Sequence, residues 1–172
     1  IASGLAIAAV PVRASPWDLL IAQPSLQGAT VEQLPVGAKV GTSSLRRKIQ
    51  LQMRRPDLVI EMLRGNVDTR LRRVNQGDFS AIILAQAGLE RLGFMPNVHG
   101  VVLQDVLVPS VGQGALALQT RSDDVQTLAL VRQLDHVDTR VCVDAERAVL
   151  AAIGATCVVP LGAHATLKSP DE

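Results

Sequence analysis

Tyrosine is absent from this 172-residue chain, and phenylalanine and tryptophan contribute two residues and one. Nucleic-acid bases therefore find almost no aromatic faces to stack on, so no nucleic-acid partner is expected. Cysteine is limited to Cys142 and Cys157, with no CxxC pair and no nearby histidine pair. That excludes a structural zinc site and a disulfide framework, and a reducing cytoplasm is the expected compartment. His99, His136 and His164 are scattered without metal or triad spacing, and no Walker loop, HExxH or GxSxG is present. No apolar run reaches transmembrane length, so no membrane partner is expected. The opening "IASGLAIAAVPV" has the core of a signal peptide but neither a basic leader nor an initiator Met. It reads as a buried strand of a chain that began earlier. The closing "HATLKSPDE" stops where a further strand begins, as expected of a piece of a longer protein.

What is present is a globular core and a lopsided charge. Apolar residues make up 48% and charged residues 19%, which suits a folded soluble domain. The net charge is only +1, yet residues 46–73 hold eight Arg and one Lys against Asp57, Glu61 and Asp68, a local +6. Arginine dominates the basic residues, and its planar fork suits bidentate contacts to carboxylate or phosphate. A solvated helical surface is the plain alternative for Arg54, Arg55, Arg72 and Arg73.

Strand and helix signals alternate along the chain. Strands are predicted at 5–12, 19–22, 38–40, 58–63 and 79–85, the last a near-continuous apolar run that fits a parallel sheet covered on both faces. Helices are predicted after Ser43 or Ser44, with Leu45, Ile49 and Met53 as one apolar stripe ending at Pro56, and after Asn66 or Asp68, ending near Gly77. "AGLERLGF" gives a third helix. A glycine-rich "SVGQG" precedes the strand "ALALQT", and helices at 123–134 and 140–153 follow. The fold class is therefore α/β with βαβ crossovers.

The arginines fall at corresponding places in successive strand-to-helix turns. Arg46 and Arg47 open the first helix, Arg64 ends a strand, Arg70 lies early in the next helix, and Arg91 follows the third strand. In open α/β sheets ligands bind beyond the carboxyl ends of the strands, where helix N-termini already attract anions. Extra cations there oppose folding by about 0.3–1 kcal/mol each through the helix dipole. The expectation is that they serve a ligand with several negative charges. Thr42, Ser43 and Ser44 are capping residues whose hydroxyls also reach an anion. Gln113, between glycines, is open to close backbone approach. Cys157, just past a helix, reads as a small buried residue or as a thiol able to carry a covalent group. Cys142, within a helix, reads as core.

Six segments in order, "VGTSSLRR", "LRGNVDTRL", "SAIILAQAGLERLG", "VGQGALAL", "DAERAVL" and "CVVPLGAHA", resemble the porphobilinogen deaminase (hydroxymethylbilane synthase) family over residues 5–168. The resemblance implies a cytoplasmic, monomeric transferase of tetrapyrrole (haem, chlorophyll) biosynthesis. Such an enzyme joins four porphobilinogen units with loss of ammonia, on a dipyrromethane cofactor held by a cysteine thioether. It implies type II periplasmic-binding-protein-like domains plus a small α+β C-terminal domain. Residues 1–17 and 115–133 would be parts of a first domain, 18–114 a second that binds carboxylates, and 134–172 the start of a third.

By the same resemblance, Cys157 carries the dipyrromethane. Ser43, Ser44, Arg46, Arg47, Arg64 and Gly65 contact that cofactor, and Thr42, Arg70, Arg91 and Gln113 contact porphobilinogen and the growing polypyrrole chain. The family's catalytic aspartate, which follows a lysine, would lie before residue 1, and none of Asp18, Asp68 or Asp105 takes its place. The stretch alone is then expected to be inactive. Trp17, where the family usually has Arg, and Thr156, beside Cys157, depart from the pattern. A non-enzymatic module that binds a small anionic solute is the rival reading.

Overall fold

The computed structural model describes residues 2–154 and 159–168. Two sheets organise them. The larger contains β2 (Asp18–Ala22), β3 (Lys39–Gly41), β4 (Val59–Glu61), β5 (Ala81–Ala85) and β6 (Gly100–Val102), in the order β4-β3-β5-β2-β6. The smaller pairs β1 (Leu5–Ala9) with β7 (Leu118–Arg121), antiparallel.

The expected crossovers are present: α1 (Leu45–Arg54) joins β3 to the parallel β4, and α2 (Val67–Asn75) leads from β4 to β5, which runs parallel to β3. The sheet is nevertheless mixed. β2 runs antiparallel to both of its neighbours, β5 and β6. Apolar runs report burial on two faces but carry no strand direction, so periodicity could not show this.

Alternate residues of the central strands feed two cores. Leu20, Ala22, Ala81 and Ile83 face one, closed by Leu51 of α1 together with Val31 and Leu107. Leu19, Ile21, Ile82 and Leu84 face the other, closed by Val74 of α2 and Leu89 of α3 (Gln86–Arg91). All five residues of β2 are buried.

The predicted stripe of α1 is not its core face. Leu45, Ile49 and Met53 are exposed, Met53 by 80%, and the inward face instead carries Arg46, Arg47 and Leu51. Positions four apart advance by more than a full turn, so a stripe of three such residues drifts around the helix. Which face turns inward is decided by the partners that the two guanidiniums find, described below.

Past β7 come α4 (Val125–Val131) and the longest helix, α5 (Val137–Ala152). The start of α5 is capped by His136, whose side chain accepts from the Thr139 amide. The segments linking the two sheets, 10–17 and 103–117, run side by side, with Ala14 N donating to Gly114 O at 3.2 Å. Gly114 is held at φ +83°, and a Cβ there would stand 2.5 Å from the Ala14 carbonyl oxygen.

Candidate functional site

The site begins where β3 hands over to α1. Thr42 is buried, and its Oγ1 accepts from the Ser44 amide at 3.2 Å. Ser44 is the N-cap: its Oγ accepts from the Arg47 amide at 3.4 Å, which satisfies one free donor of the first turn. Ser43 is exposed and makes no cap. A cavity of about 180 Å³ lies at this turn, lined by Thr42, Ser43, Ser44, Leu45 and Lys48 among others.

From that first turn Arg46 and Arg47 point inward, and only 5% and 9% of their surfaces are exposed. Both meet Asp18, the first residue of β2, itself 1% exposed. Arg46 Nη2 donates to Asp18 Oδ2 at 2.8 Å, and Arg47 Nη2 donates to Oδ1 at 2.7 Å. Their remaining Nη groups are tied to backbone carbonyls, Arg46 to Val108 O at 2.5 Å and Arg47 to Ile83 O at 3.2 Å.

Arg46 and Arg47 thus already meet one anion within the protein. One carboxylate already offsets half of the pair's charge. The Nε atoms of Arg46 and Arg47 are buried and meet no acceptor among the described residues. Burial lowers the affinity of the Arg46 guanidinium for its proton, the Asp18 charge opposes that effect, and Arg47 adds to it.

Gln113 closes the cluster from the other linking segment. Its Nε2 donates to Pro16 O at 2.6 Å and to Asp18 Oδ1 at 2.8 Å. Its Oε1 accepts from Ser110 Oγ at 3.1 Å and from Arg46 Nη2 at 3.3 Å. The carboxamide is thus engaged at both ends within the protein. Gln113 ties the cluster to the linking segment.

The other arginines are less tightly held. Arg70 is half-buried, and its Nε donates to the carbonyl of Gly65 at 2.8 Å. Burial and the nearby charge of Arg47 both depress the Arg70 guanidinium, and no acid offsets them. Gly65 sits at φ +112° with the Thr69 side chain against it. That conformation suits glycine at the turn before the Asn66 cap.

Arg64 is exposed, and its Nε donates to Met62 Sδ at 3.3 Å. Arg91, also exposed, donates to Gly114 O at 2.7 Å, one residue past Gln113 on the linking segment. The structure therefore brings Arg46 and Arg47 together on Asp18, with Arg70 near enough to feel the charge of Arg47. Among the described residues, no hydrogen bond or ion pair joins Arg64 or Arg91 to them.

A second buried node follows in the chain. Glu146 of α5, 1% exposed, accepts from Arg13 Nη1 at 2.6 Å and Nη2 at 3.1 Å, from Gly112 N at 2.7 Å and from Ala165 N at 2.9 Å. His164 Nδ1 lies 3.3 Å from the same carboxylate. Burial pushes the Glu146 carboxyl up, but Arg13 and the two amides outweigh it and leave the group below its ordinary range. Arg13 Nε donates to the Gln113 carbonyl at 2.9 Å, so the two nodes are joined by hydrogen bonds.

Trp17 packs edge-on to His164, with ring centroids 4.9 Å apart. Neither Asp18 nor Arg13 carries a motif in the sequence. The available signal was an acid placed immediately before an apolar strand, and an arginine between two prolines. Cys142 is free and only half-buried, and it lines a surface cavity with Trp17 and His164 rather than either core. Cys157 and Thr156 lie outside the described residues. No group of metal-ligating side chains and no helix able to cross a membrane occurs among the described residues.

With this geometry in hand, comparison with known proteins identifies the family. Residues 1–129 match the family described as "Porphobilinogen deaminase, dipyromethane cofactor binding domain". The chain is 49% identical, over 98% of its length, to the porphobilinogen deaminase of Brevibacillus brevis, and 50% identical, over 97%, to that of a Roseiflexus species. It spans about half of each relative, 54% in both cases. Among solved structures, it is similar to the Salmonella typhimurium periplasmic binding protein of high arginine specificity, at 13% identity over 75% of this chain and 55% of the other. The TM-score of that match is 0.41. The chain belongs to the porphobilinogen deaminase family.

Proposed function

We propose that this chain is the carboxylate-binding part of a hydroxymethylbilane synthase, a cytoplasmic, monomeric transferase that joins four porphobilinogen units and releases ammonia at each step. The observation that carries this reading is the pair of buried Nε donors of Arg46 and Arg47, which meet no acceptor among the described residues. Buried donors without partners are costly, by about 1–3 kcal/mol each. An arriving carboxylate relieves that cost. Each pyrrole of a dipyrromethane carries acetate and propionate arms, so the donor set fits that cofactor.

When bound, the dipyrromethane supplies the primer to which new rings are added. The protein's own contributions are binding and orientation. Arg46 and Arg47 present fixed donor edges, Arg70 adds positive charge, and the Ser44-capped turn holds the helix start in place. Ser43, Arg64 and Gly65 are proposed to extend the contacts to the primer, and Thr42 and Arg91 those to incoming rings. Cys157 is proposed to hold the primer through its thioether.

The division into 1–17 with 115–133, 18–114 and 134–172 is proposed to mark three domains. Its support is that, among the described residues, β1 pairs only with β7, while the five-stranded sheet lies within 18–102. Asp18 is fully occupied by its partners, and Asp68 pairs with Arg72 at the surface. Neither stands free to act on substrate; that the stretch alone shows no turnover is part of the proposal.

Intact-mass spectrometry after incubation with porphobilinogen, or with the linear tetrapyrrole, tests the reading. The expected result is an adduct with the mass of two pyrrole rings that is absent in Cys157→Ala. Saturable, reversible binding of small anions with the mass unchanged would instead mark a solute-binding module and overturn the proposal.

A further inference from the structure

Asp18 takes no part in the reading above, yet it is the point on which both buried guanidiniums converge. Each of its oxygens accepts from a different arginine, at 2.8 and 2.7 Å, and Gln113 donates to one of them at 2.8 Å. Its own position is fixed by β2, where Asp18 stands opposite Ala85 of β5. Taking Arg46 and Arg47 as carboxylate-binding groups, we infer that Asp18 is the positioning residue that turns their Nε edges toward the bound carboxylates and fixes the spacing between them.

The geometry separates this from simple neutralisation. A guanidinium held at both Nη groups can neither rotate about Cζ–Nε nor swing about its χ angles. Arg46 is held by Asp18 and Val108 O, and Arg47 by Asp18 and Ile83 O. In each case the carbonyl belongs to a different part of the chain from Asp18, so the carboxylate supplies the common reference for the two forks. Without it, each side chain keeps a single carbonyl anchor (in Arg46, also the longer contact to Gln113) and recovers rotational freedom. Fixing a donor before the ligand arrives removes an ordering cost from binding.

The two roles predict opposite signs. If Asp18 only lowered the local charge, Asp18→Asn would leave two unopposed cations and bind anions more tightly. If Asp18 positions the forks, the same change loosens them and weakens binding. The asparagine amide accepts from one arginine but presents its NH2 to the other.

The test uses the full 172-residue chain labelled with 15N-arginine, with porphobilinogen as the probe. In the unliganded wild type, Arg46 and Arg47 are expected to show separate, slowly exchanging Nη resonances, the signature of hindered rotation. Asp18→Asn is expected to average those resonances for at least one of the pair and to weaken porphobilinogen binding by about tenfold or more, as loss of charge-assisted hydrogen bonds implies. Asp18→Glu, which keeps the carboxylate, is expected to restore part of both effects.

Rapidly averaged Nη signals in the folded wild type overturn the inference without any variant, and so without depending on whether Asp18→Asn folds. Equal or tighter binding by a folded Asp18→Asn overturns it as well. A wild type with slow Nη exchange that does not bind porphobilinogen counts against the proposed function, and leaves Asp18 as the residue that holds the two forks.

Discussion

Replacing Glu146 by glutamine should loosen α5 more than any other isosteric change in the chain. The carboxylate accepts from both Nη groups of Arg13 and from the amides of Gly112 and Ala165, while 1% exposed. Removing one partner of a buried ion pair costs about 3–5 kcal/mol, and an orphaned amide adds about 1 kcal/mol or more. Full truncation to alanine therefore approaches the whole stability of an ordinary domain, about 5–15 kcal/mol. Glutamine keeps the shape and one acceptor oxygen but sets an NH2 against surrounding donors, so we expect a loss of about 2–3 kcal/mol. In a chain of this size that lowers Tm by roughly 5–10 °C.

Urea unfolding followed by circular dichroism measures the loss, and amide hydrogen exchange locates it in α5. The effect also has a defined pH dependence. The folded Glu146 carboxyl lies below its ordinary value of 4.5. Its contribution is therefore complete above that value and is lost as pH falls through the lower, folded one. The gap between wild type and Glu146→Gln should stay constant from pH 7 to pH 5 and close only in more acid solution. A glutamine variant within about 0.5 kcal/mol of wild type at pH 7 would refute the reasoning, because surface substitutions alone stay within that range.

Three further outcomes are expected. Gly114→Ala should lower the urea midpoint by the equivalent of about 2 kcal/mol or more, since φ is +83° and the new Cβ would meet the Ala14 carbonyl at 2.5 Å. Leu51→Ala should cost about 2–5 kcal/mol in chemical unfolding while Met53→Gln, on the exposed side of the same helix, changes stability by less than about 0.5 kcal/mol. The Asp57 carboxyl, hydrogen-bonded to Arg55 at 2.7 Å through both oxygens, should titrate at about 2 by NMR and return toward its ordinary 3.8 in Arg55→Gln. Because that value is depressed, the stabilisation by this pair persists above pH 4 and disappears as pH falls toward 2.

The sequence made some of this architecture readable and hid the rest for physical reasons. The caps at Ser44 and Asn66 were legible because the cap, the turn and the first helical residues are adjacent in the chain. The inward face of α1 was misread because two of its three buried residues are arginines. Only their distant partners, Asp18 and the Val108 and Ile83 carbonyls, make that face an interior one. The same distance hid Glu146, whose ligands come from residues near 13, 112 and 165. The direction of β2 was hidden because a strand buried on both sides reads alike in either direction.

That two-sidedness leaves β2 with an ambiguity of its own. Leu19 and Ile21 face one apolar layer, and Leu20 and Ala22 face the other. Sliding the strand by one position would exchange the two sets with little penalty in greasiness alone. Asp18 removes the ambiguity: after such a slip, its carboxylate would turn away from α1 and enter hydrocarbon with no cation to meet it. A single acidic residue at the head of the strand thus serves as the registration mark by which the chain distinguishes the native pairing, Asp18 against Ala85, from its nearest mispaired neighbour.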